Sequence, residues 1–163
     1  MLSRQLIAAL GGLALGALAS SAQAFSVNIA NGAEPGTLDP QKTSGNWETR
    51  ITRALFEGLV TYAADGSLVP GLAERWEISA DGKTYTFHLR DAEWSDGEPI
   101  TAEDAAFALR RVLEPAIANH NANLYYPIVG ARAINAGEAA AESLGVETPD
   151  AHTLKIHLTQ PTA

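Results

Sequence analysis

The stretch Trp94-Ser95-Asp96-Gly97-Glu98-Pro99-Ile100-Thr101-Ala102-Glu103-Asp104 leaves the backbone few options. Asp96-Gly97 offers a residue free to take positive φ, and Pro99 keeps Glu98 out of the helical region, so the chain must reverse here. Thr101 then starts a helix. Its hydroxyl can accept the N–H of Asp104 while the Asp104 carboxylate reaches back to the cap, and Glu103 and Asp104 both face the positive helix end. Ala105, Ala108, Leu109, Val112 and Leu113 form one apolar stripe at helical spacing, Arg110 and Arg111 lie near the negative end, and Pro115 ends the run. Acids placed in this way are structural caps, so Asp96, Glu98 and Asp104 are read as scaffold and no catalytic residue is assigned.

Ahead of this corner the chain opens with Arg4, an apolar run from Leu6 to Ala19, and Ala22-Gln23-Ala24. The run is short for a bilayer span and ends in small residues, the pattern of a secretory signal cleaved before Phe25, with a retained anchor as the alternative. Residues 1–24 are therefore expected to be a signal peptide and 25–163 the mature portion, long enough for one modest core. The net charge of −8 becomes more acidic once Arg4 is removed, and no basic cluster exists, which argues against nucleic acid or an anionic membrane as partner. With no cysteine, disulfides, thiol nucleophiles, zinc–thiolate sites and a lipidated N-terminus are excluded, and a soluble periplasmic protein is expected.

The remaining pattern alternates strands and helices. Ser26 to Ala30 reads as a short strand, and Asn31-Gly32 and Pro35-Gly36 begin a loop that continues through Leu38-Asp39-Pro40. Asn46 is read as the cap of a helix with Trp47, Ile51, Ala54 and Leu55 inward, ending near Gly58. Leu59 to Tyr62 and Leu68 to Pro70 read as strands around an Ala64-Asp65-Gly66 turn. Leu72 to Trp76 is read as a helical turn passing into a strand at Glu77 to Ser79. The reversal Ala80 to Lys83 pairs that strand with Thr84 to Leu89, whose Tyr85, Phe87 and Leu89 face is expected to concentrate the apolar burial. A surface loop follows over 116–123, then two helical pieces over 131–141 broken at Gly137, and a turn at Pro149-Asp150. An alternating strand, Thr153 to Leu158, has Leu154, Ile156 and Leu158 inward. The chain then stops with that strand expected to lie uncovered and prone to pairing, so a fragment lacking its own function is a further alternative.

His88, His120, His152 and His157 lie in separate elements without ligand spacing, so no metal and no cofactor is expected. Phosphate-binding glycine loops, nucleophile elbows and zinc-protease helices are missing, which leaves a secreted hydrolase as the weaker class.

Taken together, Glu34-Pro35-Gly36-Thr37-Leu38-Asp39-Pro40, Leu55-Phe56-Glu57-Gly58-Leu59, Pro70 to Trp76, Thr86 to Arg90, Trp94 to Asp104, Arg110-Arg111 with Glu114-Pro115, Leu144-Gly145-Val146 and Asp150 to Leu154 resemble the periplasmic oligopeptide-binding proteins of ABC transporters, the family 5 solute-binding proteins. The resemblance spans the mature chain but only the beginning of such proteins. It implies an α/β fold, the N-terminal portion of a bilobal periplasmic-binding-protein-like architecture, with residues 25–163 giving the first strand of lobe one and most of a small α+β domain beside it. It implies a periplasmic binding component, not an enzyme and monomeric, that hands peptides to an inner-membrane ABC permease. The alternative is a non-peptide solute such as a sugar or a nickel complex. In similar proteins the ligand is approached by the loop after Asp-Pro, here Ser44, Gly45 and Asn46, and by the residues after the acidic-Pro pair, here Asn121. Two departures stand out: Ser44 falls where an acidic residue is often met, and Asn121 where an aromatic one is. The groups that clamp peptide termini in similar proteins come from later in the chain.

Overall fold

A computed structural model describes residues 30–162; the expected signal peptide and all but the last residue of the strand at 26–30 lie outside them. From Asn31 onward the chain forms one unit. Its elements are helix α1 (Asn46–Leu55), strands β1 (Val60–Tyr62), β2 (Leu68–Pro70), β3 (Ala73–Ile78) and β4 (Thr84–Leu89), helices α2 (Ala102–Arg111) and α3 (Ala131–Asn135), and strands β5 (Val146–Asp150) and β6 (Thr153–His157).

β1 and β2 make an antiparallel pair on their own, and the other four strands form an antiparallel sheet in the order β3-β4-β6-β5. The β1–β2 turn is tied by Asp65, whose Oδ1 accepts the N–H of Ser67 at 2.9 Å and its hydroxyl at 2.7 Å. The β3–β4 hairpin turns where expected, with Ser79 N–H on the Thr84 carbonyl at 2.9 Å and Lys83 N–H on Asp81 Oδ1 at 3.1 Å. Leu72 to Trp76 contains no helical turn: Ala73 to Trp76 are already strand, because the β4 register reaches back to Ala73 opposite Leu89 and pairing overrides the local helical leaning.

The last strand is not left uncovered. β6 runs between β4 and β5 and pairs with both. Its continuation is held as Val129 N–H donates to the His157 carbonyl and Thr159 N–H to the Pro127 carbonyl, each at 2.9 Å. β5, unforeseen from the sequence, takes one edge with Pro149 in it, and β3 takes the other with charged Arg75 and Glu77. Proline and charge are common ways of blunting a free edge.

α2 lies against β5 and β6. Gly97 holds the preceding turn at φ 92°, and Asp96 Oδ1 accepts the Glu98 N–H at 3.1 Å. Asp104 Oδ2 accepts both the N–H and the hydroxyl of Thr101, at 2.7 and 2.8 Å, so the threonine hydroxyl donates to the acid. The buried face is rotated slightly from the expected stripe: Ala102, Ala106, Val112 and Leu113 are buried and Ala108 is exposed. Alanines at the contact let the helix sit close enough for Ala102 N–H to reach the Ala151 carbonyl at 2.7 Å.

The core gathers Leu72, Leu89, Leu113, Ile128, Ile134, Leu144, Val146 and Leu154, with Leu113 and Leu154 fully enclosed. Each such leucine contributes roughly 1.5–3 kcal/mol relative to exposure. Of the expected aromatic face only Leu89 is fully buried; Tyr85 and Phe87 stack with centroids 6.5 Å apart and stay half-buried. α3 is the first of the two helical pieces expected over 131–141; the second is not formed, since residues 138–140 are irregular and the next 3-10 turn runs over Ala141–Ser143. The expected loop over 116–123 contains 3-10 turns at Pro115–Ile117 and Ala122–Tyr125.

α1 is inverted relative to its pattern. The cap is Gly45, not Asn46, and the helix ends at Leu55. Its buried residues are Glu48 and Thr52, while Trp47 is 41 % and Leu55 61 % exposed. The helix is seated on a polar loop rather than on apolar surface.

Candidate ligand-binding site

The loop that leads into α1 is built around two carboxylates. Asp39 Oδ1 accepts the Gln41 N–H at 3.1 Å, a local turn that Asp-Pro favours, and both oxygens take the guanidinium of Arg111 in a fork, at 3.0 and 2.6 Å. Both side chains are about a quarter exposed, at 28 % and 23 %. The Arg111 guanidinium holds the Asp39 carboxyl below its ordinary range, against the opposing effect of burial, with the Gln41 N–H adding to it; Asp39 raises Arg111 in return. Arg111 also reaches Gln41 Oε1 at 2.7 Å, and Gln41 Nε2 donates to the Ala108 carbonyl at 2.7 Å, so the loop is pinned to the last turn of α2.

The second carboxylate is Glu48, in the first turn of α1 and 7 % exposed. It accepts the N–H groups of Ser44 at 2.9 Å, Gly45 at 3.0 Å and Gly36 at 3.0 Å. The donors at Ser44 and Gly45, ahead of those at Gly36 and Thr37, draw its carboxyl below the usual range against burial. The Trp47 ring lies back over Gly45, so close that a Cβ there would sit 2.6 Å from the ring. Trp47 thus packs on the loop and not in the core.

The two candidate-bearing segments are tied through residues that are not themselves candidates. Asn119 donates through Nδ2 to the Gln41 carbonyl at 2.5 Å and accepts the Asn121 N–H through Oδ1 at 2.7 Å. The Asp39 loop and the segment carrying Asn121 are therefore neighbours, joined at Gln41 and Asn119. Ser44, Asn46 and Asn121 are exposed and Gly45 is half-buried. Reasoning from the sequence missed Gln41, Glu48, Arg111 and Asn119, which hold these loops. The only trace of them was Asp39-Pro40 in the loop and Arg111 at the helix end.

Beside the loops an apolar cavity of about 270 Å3 lies between Phe56, Leu59, Trp94, Leu109 and Tyr125, with Gln41 at its rim. A wider hollow of about 830 Å3 is bordered by Tyr126, Arg132, Glu138 and Gln160. Neither is lined by the four candidate residues. Asp96 and Glu98 are exposed turn residues, and Asp104, which touches the smaller cavity, is engaged with Thr101. Among the described residues no group of three or more histidine, cysteine or acidic side chains could hold a metal ion.

Residues 67–163 match the family model described as bacterial extracellular solute-binding proteins, family 5 Middle. The chain belongs to this family. As a family 5 protein it is 47 % identical over 136 residues to the periplasmic oligopeptide-binding protein OppA of Haemophilus influenzae, covering 82 % of this chain and 25 % of that protein. It is 46 % identical over 142 residues to the probable deoxycholate-binding periplasmic protein YgiS of Escherichia coli, covering 85 % and 26 %. The crystal structure of Haemophilus influenzae OppA in complex with RPPGFSPFR superposes with a TM-score of 0.77 at 45 % identity, over 81 % of this chain and 26 % of that one. The Escherichia coli murein tripeptide-binding protein MppA does so with 0.74 at 44 %, over 79 % and 26 %. The family 5 chain described here thus spans about a quarter of the length of the curated relatives it matches.

Proposed function

We propose that the chain is part of a periplasmic solute-binding component that takes up peptides and delivers them to an inner-membrane ABC permease, acting as a monomer and without catalysis. In this reading residues 1–24 are a cleaved signal peptide, and residues 25–163 supply the first strand of one lobe and most of the small domain beside it. Ser44, Gly45, Asn46 and Asn121 face the ligand. The observation that carries the reading is the Gln41–Asn119 hydrogen bond, which sets two separately expected loops side by side. The names of the relatives, peptide-binding proteins of the periplasm, support it. An extended peptide can be held by its backbone through direct and water-bridged hydrogen bonds, which suits a protein that accepts varied sequences.

A second reading, a non-peptide solute, is favoured by Ser44 and Asn121 standing where peptide binders often carry an acid and an aromatic ring, and by similarity to a probable deoxycholate-binding protein. Titration calorimetry of the full chain against a peptide mixture and, separately, deoxycholate separates the two. Saturable heat with peptides is the expected result. Heat with deoxycholate alone supports the second reading, and no heat with any peptide counts against the first.

A further inference from the structure

We infer that Glu48 is the chain's own occupant of an anion-accepting pocket at the start of α1, and that it positions the Ser44–Asn46 loop for a ligand without touching the ligand. A helix N-terminus preceded by small residues whose N–H groups converge is ready to receive a carboxylate. Here that carboxylate is supplied from within: one Glu48 oxygen takes the N–H groups of Ser44 and Gly45, and the other that of Gly36. The residue is more than nine-tenths buried. Gly36 approaches so closely that a Cβ on it would lie 3.2 Å from Glu48 Oε1.

The consequence is a specificity rule. The loop's N–H groups at 44 and 45 point inward, and the Gly45 carbonyl is taken by Thr49, through its N–H and its hydroxyl. The exposed side chains of Ser44 and Asn46 are what the loop turns outward. With these groups engaged by Glu48 and Thr49, the loop reads the ligand through two small polar side chains. This rests on the proposal that the loop faces ligand, while the pocket's occupancy by Glu48 does not.

The test is Glu48→Ala in the full chain with chemical rescue. Amide exchange should speed up about tenfold or more at Gly36, Ser44 and Gly45 while β4 and β6 stay protected. Acetate, which can refill the pocket, should restore slow exchange where acetamide does not, and peptide affinity should fall about tenfold and return with acetate. Unchanged exchange, or faster exchange that acetate fails to reverse, overturns the inference; so does restored loop order with peptide affinity that never changed. If the wild type takes up no peptide, the ligand-facing reading fails and the acetate-dependent exchange alone decides on the pocket. Should the alanine variant lose protection throughout β4 and β6, Gly36→Ala replaces it, since it crowds Oε1 and keeps the charge. Faster exchange confined to Ser44 and Gly45 is then expected, and no change there contradicts the inference.

Discussion

Both ten-residue helices carry an apolar stripe in sequence, yet α2, packed beside β5 and β6, buries an apolar face through Ala102 and Ala106, and α1 leaves Trp47 and Leu55 outward. The difference lies in what each helix has to sit on. α2 follows a capped turn that delivers it onto the sheet, so apolar burial orients it. α1 is oriented by Glu48 and by the Asp39 loop, which Arg111 binds to the end of α2. Amphipathic periodicity shows that a helix has two faces; it does not show which one the rest of the described chain will cover.

Substitutions can sharpen or break this contrast. The largest effect is expected at Leu113, just beyond α2 and fully enclosed, where Leu113→Ala should cost about 2–5 kcal/mol in denaturant unfolding. An effect near zero would mean the sheet-facing core does not carry the fold. Arg111→Ala, which removes the fork on a partly exposed Asp39, should cost about 1–2 kcal/mol and loosen the loop. It should also change the acid limb. The folded-state carboxyl of Asp39 is depressed by Arg111, so the pair's stabilisation is fully present above about pH 4 and is lost as pH falls through the lower folded value. Stability of the wild type should thus drop more steeply with acid than that of the variant, and parallel curves would contradict the pairing. The smallest effect is expected at Leu55, 61 % exposed, where alanine should stay within about 0.5 kcal/mol. A cost comparable to Leu113→Ala would show that α1 buries its stripe after all.

What was legible in the sequence is mostly what is local. The turn and cap at Asp96 to Asp104, the β1–β2 and β3–β4 hairpins and the alternating β6 each have their determinants within a few residues. β5 was missed because Val146 is its only fully buried residue and Pro149 sits in it; it is a strand because β6 offers a partner edge. The covering of β6 on both sides could not be read either, since one neighbour precedes it by more than 60 residues. The candidate ligand residues came from family resemblance rather than from their own chemistry. The groups that hold them, Arg111 on Asp39 and Asn119 on Gln41, meet across 72 and 78 residues of chain. No periodicity or spacing encodes such contacts.

The central claim is that the loops tied together at Gln41 and Asn119 face the ligand, while the capped corner of α2 is scaffold. Hydrogen–deuterium exchange of the full chain with and without saturating peptide tests it most directly. The account predicts peptide-dependent protection over Ser44–Asn46 and around Asn121, with the Trp94–Asp104 stretch unchanged. Protection centred on Asp96 and Glu98, with the two loops unaffected, would contradict it.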